Sequence, residues 1–377
     1  MKIKSVEAIT LKYEIGEDQA YGMARGLASE RGATLVIVHS DEGISGLGEA
    51  WGAAKATTEH VRNLAQVYLG QDPFDREIIL RRTLSSLYHL GQSGPHIAAL
   101  SGIDMALWDM IGKATGRPVS SLLGGRSRNK IMAYASTGYI TKKDDEREFA
   151  RQIEKAVEAG FKAIKIKIGI SPEIDRQRVQ ITRRIAGEDT LLMVDANGNY
   201  KRDSALRCAN LIEEFDIHWF EEPCSPEDLE GFRFLKEKTN IPLVAGEALF
   251  TRHGFRPYIE QGLVNGVQPD LSKCGGITEA KSIADLAHTW NLNVSAHVWG
   301  TAVGMAASLQ FMGHLPSHPH TLFEPSPCLF EYDISVNPLR THLINEDLSV
   351  TDGFIAVSDQ PGLGITLNEH FLQKFRQ

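Results

Sequence analysis

The first fifty residues alternate apolar and polar positions as β-structure does. Ile3, Val6 and Ile9 are followed by the run ATLVIVHS, the turn Asp41-Glu42-Gly43 and the returning run ISGLGEAWG. A period of two puts successive side chains on opposite faces, and the short turn joins the last two runs as a hairpin. The segment Glu14 to Gly32, polar and glycine-containing, reads as a mobile loop placed to act as a lid. From Thr57 to Gly116 the apolar spacing becomes three and four, through TEHVRNLAQVYL, PFDREIILRRTLSSLYHL and IAALSGIDMALWDMIGKATG, which predicts helices. Strands and helices in separate blocks predict an α+β cap over residues 1–125, with its loop at about 14–32.

Past Gly124-Gly125 the pattern changes again. Short apolar runs, IMAYAST, AIKIKI, LLMVDA, IHWFEE, PLVAGE, GVQPD, NVSAH and PCLFEYD, alternate with amphipathic stretches. In SPEIDRQRVQITRRIAG, Ser171 is placed to cap a helix whose first position is Pro172. Strands joined by crossover helices describe an α/β protein, a (β/α)8-type barrel in its modified (β/α)7β form, over residues 126–336. Residues 337–377 are expected to pack back on the cap, with Val350 to Leu367 read as extra strands.

Composition narrows the partners. Charged residues make up 23% and the formal net charge is −8 without a basic run, which argues against nucleic acid or an anionic membrane. The start MKIKSVEAIT has no signal-like apolar stretch, and no run of about 18 apolar residues occurs, so a cytoplasmic protein is expected. Cys208, Cys224, Cys274 and Cys328 form no CxxC pair, and the reading is free thiols rather than a zinc site or disulfide framework.

The chemistry lies at the ends of the apolar runs. Asp195, Glu221 and Glu247 each close one, at successive spacings of 26 residues, about one βα unit. By alternation, Asp195 shares its face with Met193 and Asn197, Glu221 with Trp219, and Glu247 with Ala245. A single acid there is commonly a salt-bridged surface residue. Three in sequence point instead to the C-terminal mouth of a barrel, where their mutual repulsion calls for a hard cation such as Mg²⁺, or Mn²⁺. One strand earlier, Lys165 and Lys167 share a face while Ile164, Ile166 and Ile168 occupy the other. A KxK is usually a solvated face, but here the isoleucines must meet the helices, leaving the lysines the barrel interior. On the far side Asp270 and His297 close neighbouring runs, and a carboxylate there would orient the imidazole and raise its pKa.

The order KxK, Asp, Glu, Glu, Asp, His, with AGE, QPD and HVWG around the last members and the cap phrase ALSGIDMALWDMIGKATGRPVSSLLGG, resembles the mandelate racemase branch of the enolase superfamily (mandelate racemase/muconate lactonizing enzyme family). The resemblance covers nearly the whole chain. It implies Asp195, Glu221 and Glu247 as metal ligands, Lys167 as the base on one substrate face with Lys165 near the substrate carboxylate, and His297 with Asp270 as the dyad on the other. It also implies a Glu on the eighth strand, Glu331 in preference to Glu324. Relatives that use a second lysine carry it where Asp270 stands, and Lys273 is read as a packing or loop residue rather than a base. The stretches HVWGTAVGMAASLQFM, FEYDISVNPLR and QPGLGITLN are similar to galactarolactone cycloisomerases and related acid-sugar enzymes.

These readings predict removal of a proton α to a carboxylate through an enediolate, followed by β-elimination from an acid sugar or sugar lactone. A racemase or epimerase is the alternative, and a non-catalytic acid-sugar binder the remote one. The expected partner is a small carboxylate, and the expected assembly a homo-oligomer. Tyr21, Met23, Arg25 and Arg31 of the loop, together with Asn197 and Trp299, offer contacts to a hydroxylated ligand; the loop residues equally suit ordinary surface salt bridges, and Trp299 ordinary packing.

Overall fold

The computed structural model describes residues 1–52, 54–319 and 326–377. At the N-terminal end, β1 (Ile3–Glu14), β2 (Tyr21–Met23), β3 (Gly26–Ala28), β4 (Glu30–Ser40) and β5 (Ser45–Ala50) precede α1 (Ala54–Tyr68), α2 (Arg76–Ser86) and α3 (Pro95–Thr115). Strands β1, β4 and β5 form an antiparallel sheet with Ile9 opposite Leu35. Its inner face supplies Ile3, Val36 and Val38 to a core shared with Val61, Ile79, Leu100 and Ile103 of the helices. Gly116, in the left-handed region at φ 65°, ends α3 where a side chain would be strained.

The segment from Glu14 to Gly32 differs from the loop its composition suggests. It folds as the hairpin β2–β3, with β1 and β4 extending to a Glu14–Glu30 pair, and β2 also pairs with a short strand beyond the first barrel strand. Polar composition hid it because its order comes from Arg31 and Tyr21, which are buried against the barrel.

After α4 (Val119–Leu122) the chain runs through β6 (Lys130–Thr137), β7 (Ile140–Thr141), α5 (Glu146–Glu158), β8 (Ala163–Lys167), α6 (Pro172–Ala186), β9 (Leu191–Asp195), α7 (Arg202–Ile212) and β10 (Ile217–Glu221). It continues with α8 (Leu229–Lys236), β11 (Leu243–Ala245), α9 (Thr251–Glu260), β12 (Gly266–Val267), α10 (Gly276–Thr289), β13 (Asn293–Val294), α11 (Ala302–His314) and β14 (Leu329–Asp333). Each apolar run named above supplies one of these barrel strands. The parallel order is β13-β12-β11-β10-β9-β8-β6-β14. Between β13 and β14 the Ser295 hydroxyl donates to the Leu329 carbonyl (2.6 Å). The helices form because their apolar positions recur on one side: α5 buries Phe149, Ile153 and Ala156, and Asp145 caps it by accepting from the Glu148 N–H. Ser171 caps α6 in the same way.

The last segment adds α12 (Pro338–Thr341), β15 (Phe354–Ala356) and α13 (Glu369–Phe375). Of the extra strands expected between Val350 and Leu367, the described residues contain only β15, and it pairs with barrel strand β6 rather than with the cap. Contact with the N-terminal sheet comes instead through a Leu11–Arg376 bridge and α13 packing on β1. None of the described helices is long and apolar enough to cross a membrane.

Candidate active site

Alternation along the barrel strands sorts their residues into two environments. Tyr134, Ala163, Met193, Trp219, Val244 and Leu329 pack together inside the barrel as a floor. Ile164, Ile166, Val194, Phe220, Ala245, Val267 and Phe330 face the helices. Above the floor, register sets the acids in a row: Lys167 pairs with Asp195 across β8–β9, and Asp195 with Glu221 across β9–β10. Glu247 arrives differently from its expected face-sharing with Ala245. Val244 is the interior residue of β11 and Ala245 faces the helices, so simple alternation would turn Glu247 outward. The chain is redirected at Gly246, whose φ is 152° and whose missing Cβ would lie 2.6 Å from the Gln268 nitrogen.

Asp195, Glu221 and Glu247 each present an oxygen within 4.8 Å of the others. Lys165 Nζ lies 2.8 Å from Glu221 and 2.9 Å from Glu331, and Lys167 Nζ lies 2.5 Å from Asp195. Burial alone would discharge both lysines, but the surrounding carboxylates prevail and raise both pKa values. Glu331 is held at about 2: burial opposes its charge, and Lys165, His297 and Lys167 overcome that opposition. Glu221 is pushed up to about 7, chiefly by burial; Lys165 opposes that rise, and Asp195, Glu331 and Glu247 add to it. The cluster is therefore short of positive charge, and its all-carboxylate donors suit a hard divalent ion; the buried triad can bind a metal.

His297 reaches the acids from another side. Its Nδ1 is 2.8 Å from Asp270 and its Nε2 is 3.2 Å from Glu247. Burial lowers the imidazole pKa, but Glu247, Glu331 and Asp270 together raise it to about 9. Asp270 is itself held by the Ser272 N–H (2.8 Å) and hydroxyl (2.6 Å). The Val298 N–H donates to Glu331 (2.8 Å), tying the seventh strand's loop to the eighth strand.

The sequence-predicted residues thus divide into two groups. Lys165, Lys167, Asp195, Glu221, Glu247, Asp270, His297 and Glu331 form one connected network. Asn197 joins it by donating to Glu247 (3.1 Å), which makes it an orienting neighbour of that acid. Lys273 lies over Trp51 (4.1 Å) and Phe250, as a packing residue does. Tyr21 is engaged internally, its hydroxyl near Arg31, Ser335 and the Val336 carbonyl. Arg25, exposed, donates to the Gly198 carbonyl beyond the third strand. Trp299 lies under the Arg31 guanidinium (3.5 Å) and donates to Tyr139. Glu324 is outside the described residues.

Two members escaped the sequence reading. Gln268 donates to Glu221 (2.7 Å), and its place two residues before Asp270 in QPD was a usable sign of a shared face. Glu222, buried beside the triad at φ 39°, has its pKa well above the usual carboxylate range, through burial first and then Glu247 and Asp195. Strand parity turns it away, so no sequence signal marked it.

Comparison with known proteins fits this geometry. Residues 148–371 match the family described as enolase C-terminal domain-like, and residues 7–124 the mandelate racemase / muconate lactonizing enzyme N-terminal domain. The chain belongs to the mandelate racemase/muconate lactonizing enzyme family of the enolase superfamily. It is an enzyme of the lyase or isomerase type. It is 36% identical over 378 residues to the D-galactarolactone cycloisomerase of Agrobacterium fabrum, covering 100% of this chain and 99% of that one. To the arabinonate dehydratase of Saccharolobus solfataricus it is 30% identical, covering 99% of each. Among solved structures, the 3,6-anhydro-D-galactonate cycloisomerase from Zobellia galactanivorans superposes with a TM-score of 0.90 at 31% identity, covering 100% of both chains.

Proposed function

We propose that this enzyme removes the proton α to the carboxylate of an acid sugar or sugar lactone and then expels the β-oxygen, giving a 2-keto-3-deoxy acid. The observation that carries the reading is the convergence of Lys167 and His297 on one acid triad from different sides. The dehydratase and cycloisomerase relatives support elimination over racemisation.

In this reading Asp195, Glu221 and Glu247 hold Mg²⁺ (Mn²⁺ also suits the donor set), oriented by Gln268 and Asn197. When bound, the ion would supply Lewis-acid stabilisation of the charge that develops on the substrate carboxylate and would offset the Asp195 charge that favours the Lys167 ammonium. Lys165 binds the substrate carboxylate by charge, and ionised Glu331, 2.9 Å from its ammonium, holds it in place. The neutral Lys167 amine takes the α-proton, and the C–H pair becomes the enediolate. That pair then forms the Cα–Cβ double bond as the Cβ–O bond breaks. Protonated His297, its charge favoured by its acidic neighbours, gives its proton to a departing hydroxyl, which leaves as water. In a lactone the ring oxygen leaves as a carboxylate and needs little such help. Tautomerisation of the enol completes the keto acid.

The division of labour follows: residues 1–125 cap the site, 126–336 carry its chemistry, and 337–377 return to brace the cap.

The test is incubation with D-galactarolactone, galactarate, arabinonate, xylonate, gluconate and galactonate, with Mg²⁺ or with chelator, reading 2-keto acid and α-deuterium uptake by NMR. Metal-dependent keto acid is expected from at least one. Epimerised substrate without keto acid would favour the racemase, and no α-exchange with any of them would end the enzymatic reading of this site on acid sugars.

A further inference from the structure

The loops that carry Asp270 and His297 are fastened to the cap by two buried carboxylates. Glu49, the penultimate residue of β5, accepts from the Thr301 N–H (3.0 Å), the Thr301 hydroxyl (2.5 Å) and the Gly304 N–H (2.8 Å). Those groups open α11, four residues after His297. Asp104, in α3, accepts from the Thr278 N–H (2.9 Å) and hydroxyl (2.6 Å) near the start of α10, which follows Asp270. Between them, the Gly275 N–H donates to Ser101 (2.8 Å) and the Trp51 N–H to the Ser272 carbonyl (2.9 Å).

Both carboxylates are buried, and neither forms an ion pair among the described residues. Unsatisfied N–H groups at a helix start attract an anion, so each acid is held by the barrel helix it caps. Gly300 and Gly276 permit the approach: a Cβ at either would fall 2.0 Å from Glu49 or 2.4 Å from Asp104.

The lysine side lacks this arrangement. Its loop is held by barrel residues alone among those described: Asp175 accepts from the Gly169 N–H (2.7 Å), and Arg178 donates to the Lys167 carbonyl (3.2 Å).

We propose that Glu49 and Asp104 are positioning residues for the Asp270–His297 pair, so that the cap sets the geometry of the imidazole side while the lysine side is set within the barrel. The proposal rests on the functional reading above. A displacement of about 1 Å at a proton-transfer group costs on the order of 100-fold in rate, so loosening either anchor acts on the steps that need His297.

The test compares wild-type, Glu49→Gln and Asp104→Asn chains, full-length and with Mg²⁺. Hydrogen–deuterium exchange needs no substrate. Protection is expected to fall at least tenfold over residues 268–279 and 296–306 and to hold over 163–171. With galactarate, whose departing hydroxyl takes the His297 proton, kcat is expected to fall about 10- to 100-fold with KM within about threefold, while α-deuterium uptake through Lys167 persists. Even loss of protection across all three segments, wild-type kcat, or α-exchange that falls in step with elimination would each overturn the proposal. Should Glu49→Gln fail to fold, Thr301→Val removes the hydroxyl bond to the same carboxylate together with that hydroxyl's cap on the Val303 N–H, and Thr301→Ser, which keeps both, is its control. A wild-type chain that turns over no acid sugar sinks the functional reading, and the exchange experiment then decides the anchoring by itself.

Discussion

The two sides of the acid cluster use the same device, a charged side chain at a strand end, yet different parts of the chain stabilise them. Lys165 and Lys167 lie on the regular strand β8, with Ile164 and Ile166 packed behind them, and their loop is braced by α6. Asp270 and His297 lie beyond β12 and β13, each only two residues long, and their loops lean on the cap. A long strand buried on both faces orients its side chains by pleat alone. Where the ladder is short, orientation must come from contacts outside it, and the cap supplies them.

The sharpest way to break the symmetry is to remove each proton carrier in turn. Lys167→Ala is expected to abolish α-deuterium uptake and lower kcat by about 10³–10⁴-fold, whereas His297→Asn lowers kcat by about 10²–10³-fold and leaves uptake measurable. Isotope uptake and keto-acid formation, followed side by side, check this; equal loss of both signals in His297→Asn would show that the two sides do not act in separate steps.

A smaller effect is expected beneath the triad. Gln268→Leu leaves Glu221 Oε2 only the Trp219 N–H (3.3 Å), so Mg²⁺ affinity should fall about 10- to 100-fold. Titration calorimetry reads it directly, and unchanged affinity would remove Gln268 from the metal site.

The hairpin offers a change in stability rather than rate. Arg31 lies over Trp299 and 3.7 Å from Asp333, which Arg340 also holds at 2.9 Å. Because Arg340 stays behind, Arg31→Met should cost about 1–3 kcal/mol, less than breaking an isolated buried pair. Denaturant unfolding measures it, and a loss below about 0.5 kcal/mol would mean the hairpin is not anchored there.

The smallest effect is a pH dependence of the same joint. Burial raises the Asp333 pKa, but Arg340 and Arg31 lower it from 3.8 to about 2. A carboxylate whose pKa is depressed on folding contributes stability above its unfolded value and loses it as pH falls towards the folded one. The contribution is therefore complete above about pH 5 and declines between about pH 4 and pH 2. Asp333→Asn should flatten that part of the acid-unfolding curve.

Much of this was legible in the sequence because it depends on local periods. The eight apolar runs located the barrel strands, and the inward face of KxK followed from the isoleucines between the lysines. Ser171 and Pro172 announced the start of α6. Where the reading went astray, regular geometry had ended. Glu247 reaches the triad through a bend at Gly246 that parity cannot foresee, and the hairpin β2–β3 owes its order to barrel partners hundreds of residues away.

The sequence by itself determined the order of the elements, the inward face of each regular strand and the kinds of charged group at the strand ends, since a repeat of two or 3.6 residues carries that information locally. The tertiary structure alone decided which groups meet. Glu49 finds Thr301 across 252 residues and Asp104 finds Thr278 across 174. Such pairings depend on how a whole cap settles on a barrel, and a one-dimensional pattern holds no record of that contact.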